Sequence, residues 1–160
     1  MNRFLFVMLA GLILTGATQR GGSADKLTEN NKNTAIKVFS EIYGAGKLEL
    51  INELFADDFV DDSPGGGRGR AFVKSSITDF RTAFPDLHFE LQDVFGTEDK
   101  VVVRYAASGT QTGPFGQFLP SGKPVYVRGI TIFQVKDGKI KREWTEYDQL
   151  GLMRQIGMIP

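Results

Sequence analysis

Cysteine is absent from the 160 residues and histidine occurs once, at His88. The first absence excludes disulfides, a cysteine nucleophile and thiolate ligation of zinc or iron–sulfur clusters. The second leaves no multi-histidine metal cluster, and a His-dependent triad would have to use His88. No metal and no cofactor are expected. Charge of one sign is also lacking: 19 Lys and Arg stand against 19 Asp and Glu, so no overall field draws the chain onto nucleic acid or an anionic membrane. No apolar run reaches the roughly 20 residues that a membrane-spanning helix needs. The run Phe4–Leu14 breaks off at Thr15-Gly16.

That short run has a different meaning. Arg3 precedes it and the small residues Thr15, Gly16 and Ala17 follow, the three-part layout of a secretory signal peptide. Cleavage fits after Ala17 through Thr15, or after Ala24 through Gly22, and an uncleaved interfacial anchor is the alternative. The expected organisation is a signal peptide and disordered start of the mature chain over 1–24, then one domain over 25–160. The protein is expected to be exported, periplasmic or secreted, with no stable membrane insertion once cleaved.

The remainder divides into a helical and a strand half. From Thr28, a plausible N-cap, Ala35, Ile36, Phe39, Ile42 and Tyr43 recur at helical spacing until Gly44-Ala45-Gly46. Leu48, Ile51, Leu54 and Phe55 predict a short second helix. After Ser63-Pro64-Gly65-Gly66-Gly67, a third spans about Arg70 to Phe84 and stops at Pro85. Beyond it the period becomes two: Leu87, Phe89 and Leu91 alternate with His88, Glu90 and Gln92, and Val101, Val103 and Tyr105 with Val102, Arg104 and Ala106. Two more strands, Val125–Val135 and Ile140 to about Tyr147, flank Asp137-Gly138, a strong hairpin signal. Helices followed by antiparallel strands predict an α+β domain: three N-terminal helices packed in a curved antiparallel sheet, with a short C-terminal helix.

Strand parity bears on assembly. Val125, Val127, Gly129, Thr131 and Phe133 share one face, while Tyr126, Arg128, Ile130 and Ile132 share the other. On the last strand Lys141, Glu143, Thr145 and Tyr147 oppose Ile140, Arg142, Trp144 and Glu146. Helices cover only one side of such a sheet, so a homodimer through the other is expected, with Trp144, Tyr126, Ile130 and Ile132 near its centre. The alternative is that Trp144 and Tyr126 are amphipathic surface residues flanked by arginines.

Ordered motifs carry a family resemblance: Glu29-Asn30 and the first helix, Leu50–Val60, Ala83–Leu87, Gly109–Gly113, Val127–Ile130, Asp137–Ile140 and Asp148–Leu152. Over nearly all of residues 28–157 the chain resembles the SnoaL-like polyketide cyclases, or ester cyclases. The resemblance implies a nuclear transport factor 2-like cone enclosing an apolar pocket, and dimerisation through the outer sheet face. The ligand it implies is small and apolar, polyketide-like or steroid-like. It also implies cofactor-free acid/base chemistry through a His-x-Asp pair on the strand after Asp137-Gly138.

At those two positions stand Glu143 and Thr145. A threonine hydroxyl does not exchange a proton near neutrality, which leaves Glu143 as the catalytic candidate, its proton affinity raised by burial. The competing reading of Glu143 is a structural ion pair with Lys141 or an arginine on a neighbouring strand. Candidate ligand-binding residues are Thr131 on the inward strand face, Tyr43 at the end of the first helix, Asp61 before the glycine loop, and Thr145. Asp148 reads as an N-cap, His88 as surface, and the Arg68 and Arg70 loop as a rim without a phosphate-binding context. Two functions stay open, a cofactor-free cyclase-, isomerase- or hydrolase-type enzyme and a non-catalytic extracytoplasmic binding protein that has lost the family pair.

Overall fold

The computed structural model describes residues 18–160, so the targeting segment expected over residues 1–17 lies outside the described residues. The first helix, α1 (Thr18–Lys37), takes in residues 18–24, which were expected to be disordered, and widens into π-type turns over Val38–Gly44. Thr28 therefore lies inside a helix and is not its N-cap. The apolar repeat marks only the half of α1 that packs on the sheet. The preceding turns are largely exposed and carry no periodic signal. A 3-10 turn at Leu48–Leu50 leads into α2 (Ile51–Leu54).

Phe55 does not extend that helix. It opens a strand, β1 (Phe55–Asp61), which is followed by α3 (Gly69–Ala83), β2 (His88–Gly96), β3 (Lys100–Thr110), β4 (Pro124–Lys136), β5 (Lys139–Tyr147) and α4 (Gln149–Gln155). The sheet order is β1-β5-β4-β3-β2, and β1 pairs parallel to β5 while the other neighbours pair antiparallel. The purely antiparallel sheet expected from sequence thus gains a parallel edge. A register shift between Phe55 and Val60 breaks the period-two alternation of β1, and Phe55, Phe59 and Val60 are all buried. Arg70 ties α3 to this edge, its Nε and Nη2 donating to Phe55 O at 2.9 and 2.7 Å.

A second irregularity corrects the face assigned to Lys141. The β4–β5 register shifts between Gln134 and Val135, so that Val135 faces Ile140 but Gln134 faces Arg142. Lys141 is the extra residue of the bulge. It pairs with Asp58 across the sheet edge, while Ile140 and Glu143 both turn inward and are buried. The β4–β5 hairpin turns on Asp137 and Gly138, with φ of 52° and 73°, the left-handed pair that a two-residue turn of this hand requires.

Helices and strands close around one core. Phe39 sits at its centre, its ring 5.0–5.9 Å from those of Tyr43, Phe89, Tyr105 and Phe133. A second cluster around Phe84, Val125, Leu152 and Ile156 carries α4. Asp148 caps that helix by accepting from Gly151 N at 2.8 Å. His88 is exposed.

Candidate functional site

Between α3, the widened end of α1 and the inward face of the sheet lies a cavity of about 300 Å³. Its walls are mainly aromatic and aliphatic, including Phe59, Phe72, Phe80, Phe89 and Tyr105. Glu143, Thr145, Thr131, Tyr43 and Asp61, the five residues singled out from the sequence, all line it. They come from four elements. β5 supplies Glu143 and Thr145, β4 supplies Thr131 opposite Thr145 in register, β1 supplies Asp61 opposite Glu143, and the π-type turns supply Tyr43.

These groups form a directional chain. The Tyr43 hydroxyl donates to Glu143 Oε2 at 2.8 Å, and the Thr145 hydroxyl donates to Glu143 Oε1 at 2.8 Å. Because the single hydroxyl proton of Thr145 is committed to the carboxylate, Thr131, whose Oγ1 lies 2.7 Å from that of Thr145, is the donor between the two. Both oxygens of Glu143 are thereby held by neutral donors. The main chain around it is pinned as well: Thr145 N donates to Ser63 Oγ and Asp62 N to Glu143 O.

The ion pair offered as the structural role of Glu143 does not form. Among the described residues Glu143 takes part in no salt bridge, because the nearby bases point outward, Lys141 to Asp58 and Arg142 to Asp62. With 8% of its surface exposed and no cation beside it, the carboxyl is pushed up from an ordinary 4.5 to about 7. Burial is the largest cause, the charge of Asp61 adds to it, and the hydrogen bonds from Thr145 and Tyr43 pull the other way. Burial and the neighbouring Glu143 hold the Tyr43 phenol well above its usual range, so it remains a donor throughout the neutral region. The site therefore holds one carboxyl that exchanges a proton near pH 7, inside an apolar chamber, with its orientation fixed by hydroxyl groups.

Two contributors carried no legible signal. Ser63 looked like an ordinary loop residue, and only the parallel pairing of β1 brings its hydroxyl to Thr145 N. Arg81 also lines the cavity, yet in sequence it is one cation among several on an amphipathic helix. Among the described residues no group of three His, Cys, Asp or Glu stands close enough to hold a metal ion.

Comparison with known proteins fits this geometry. No curated protein matches the chain. A solved structure described as a SnoaL-like polyketide cyclase, from Jannaschia sp. CCS1, is 27% identical with a TM-score of 0.78, covering 84% of this chain and 96% of that one. TsrD from Streptomyces laurentii is 27% identical with a TM-score of 0.75, covering 82% and 97%. IdmH from Streptomyces antibioticus, described as a polyketide cyclase, is 28% identical with a TM-score of 0.70, covering 79% and 98%. The shared architecture is the nuclear transport factor 2-like cone, a small-molecule-binding, cyclase-type fold. The model of the SnoaL-like polyketide cyclases matches residues 33–156, and the chain belongs to that family.

Proposed function

We propose that this protein is a cofactor-free acid/base enzyme acting on a small, largely apolar carbonyl compound of polyketide kind, with Glu143 as the proton-transferring group. The observation that carries this reading is a carboxyl with a pKa of about 7 facing the cavity, poised to take and return a proton at neutral pH. In an aldol-type closure Glu143 would remove a proton from the carbon next to a carbonyl. The resulting enolate would attack a second carbonyl within the same molecule, and the proton held on Glu143 would pass to the new alkoxide. Thr131, Thr145 and Tyr43 orient the carboxyl, and Asp61 keeps its proton affinity high. The family Asp position is Thr145, so the acid/base would stand two residues earlier on the same inward face.

The test is turnover of a panel of aromatic polyketide methyl esters by the wild type and by Glu143→Gln. A loss of about 10²–10⁴-fold, with ligand affinity retained, is expected of a positioned general acid/base. Unchanged turnover by the variant would remove Glu143 from the chemistry.

A second reading draws on Thr145 itself. A chain that has lost the family carboxylate and carries a targeting signal at Arg3–Ala17 suits a non-catalytic binding protein outside the cytoplasm. Wild-type protein that binds the esters and turns none of them over would favour it. Export belongs to both readings: native protein should start near residue 18 or 25, and intact Met1 in a cytosolic fraction, read by mass spectrometry, would refute it. A homodimer through the outer sheet face likewise belongs to both.

A further inference from the structure

A phenol reaching Glu143 from another element has to be held, because Tyr43 sits at the last turn of its helix, where the final carbonyls lack partners in the helix itself. Here the following amides fold back past those carbonyls: Ala45 N donates to Ser40 O, Gly46 N to Ile42 O and Lys47 N to Glu41 O. The Tyr43 and Gly44 carbonyls instead face α3. Arg81 Nη1 donates to both, at 3.3 Å to Tyr43 O and at closer range to Gly44 O, and Nη2 reaches Pro85 O at 3.5 Å. Gly46 makes room for this grip. Its φ is +72°, and a Cβ there would come within 2.6 Å of Arg81 Nε.

We propose that Arg81 is a positioning residue, which fixes the Tyr43 phenol on Glu143 Oε2 by holding the two carbonyls that end the widened turn. The inference rests on the reading of Glu143 as the acid/base, and it adds a device on a separate helix that tunes it. The groups facing Glu143 are Tyr43 from the widened turn, Asp61 from β1, Tyr105 from β3, Thr131 from β4 and Thr145 from β5. The hydrogen bond from Tyr43 lowers the pKa of the Glu143 carboxyl, and Arg81 holds the carbonyl of the residue that donates it. The proposed route from Arg81 to Glu143 thus runs through Tyr43.

The consequence is read by titrating Glu143 with carbon-13 NMR in the full chain, without any substrate. Tyr43→Phe removes a donor to the carboxylate and should raise its pKa by about one unit. Arg81→Met should raise it by a similar amount, Arg81→Lys by less, and the double variant Arg81→Met with Tyr43→Phe no further than either alone. An Arg81→Met protein that melts earlier while Glu143 titrates as in the wild type would overturn the proposal, because Arg81 would then only brace the fold. A full additional shift in the double variant would overturn it too, because Arg81 would be acting by charge. Should Arg81→Met fail to fold, Arg81→Lys, which keeps the charge and loses the two-carbonyl grip, should still raise the pKa, and an unshifted carboxyl in that folded variant sinks the idea. Failure of these titrations leaves the Glu143→Gln turnover test untouched, and failure of that test leaves them untouched.

Discussion

Each face of the β4–β5 ribbon carries exceptions to the usual sorting of side chains. On the inward face Thr131 pairs with Thr145 and Phe133 with Glu143, so polar groups face the inside of the cone. On the outward face Ile132 pairs with Trp144 and Ile130 with Glu146, and Tyr126 and Ile130 are 53% and 45% exposed. A strand selected only for folding would carry apolar groups at Thr131, Glu143 and Thr145 and polar ones at Tyr126 and Ile130. The inward exception is expensive, since a carboxyl without a cation is taken out of water. The outward exception is a standing invitation to be covered. Each departure supports one of the proposed encounters, a small ligand on the inner face and a second copy on the outer one.

Breaking the inward exception should give the largest effect, and its sign is unusual. The folded-state pKa of Glu143, about 7, lies above an unfolded value near 4.5. Its protonated form therefore suits the fold below pH 4.5, and that contribution is lost as pH rises through 7. At pH 8 the wild type carries a penalty of about 3 kcal/mol for ionising this group. Glu143→Gln, neutral at every pH, should melt higher than the wild type at pH 8, and the gap should close on lowering the pH to 4. A variant equally stable at both pH values, or less stable at pH 8, would contradict the burial argument. The substitution expected to abolish proton transfer is thus expected to strengthen the fold.

The outward exception breaks with Trp144→Glu. If a second copy covers this face, a charge at its centre should weaken self-association by about 2 kcal/mol or more, as at interface hot spots. Sedimentation equilibrium of wild type and variant checks it. A wild type that is monomeric at high micromolar concentration would leave the face uncovered and the proposed dimer wrong.

Legibility in the sequence follows the same division. Period-two alternation revealed both faces of β4 and the helical spacing revealed α3, because regular elements repeat their environment along the chain. The five candidate residues that line the cavity were legible for the same reason, sitting on those faces or on matching family motifs. What escaped were the irregularities. Lys141 reads as a neighbour of Glu143 in sequence because a bulge is one added residue with no composition of its own, and β1 gives no strand signal because its register shift intersperses exposed acids among the buried Phe55, Phe59 and Val60. Arg81 and Ser63 matter only through partners 38 and 82 residues away in sequence, and no local pattern announces them.

A smaller inward effect sharpens the comparison further. Thr131 is 1% exposed, and its hydroxyl meets that of Thr145, which in turn holds Glu143, and bonds the Tyr105 phenol as well. Thr131→Val keeps the shape and removes the donor, leaving the Thr145 oxygen unmet in a partly buried site. A loss of about 1 kcal/mol in denaturant unfolding is expected, typical of one neutral hydrogen bond. A neutral or stabilising outcome would mean that the hydroxyl pair is incidental to the fold.

The smallest effect lies outside, where the chain has begun to cover its own tryptophan. Lys100 Nζ stands 5.5 Å and the Arg142 guanidinium carbon 5.7 Å from the Trp144 ring centroid, so two cations flank the indole that a second copy would have to reach. Lys100→Met removes one cation while keeping a similar apolar stem, and at an exposed site the lost attraction should cost about 0.5 kcal/mol. Trp144 is the only tryptophan, so its fluorescence reports this face alone. Acrylamide quenching should increase modestly in Lys100→Met at concentrations low enough to keep the protein monomeric, since one of the two cations flanking the indole is gone. At high concentration a partner would shield it, and the two proteins should quench alike. A difference that persists at every concentration would show that the two cations, and not a second copy, are the cover that this face uses.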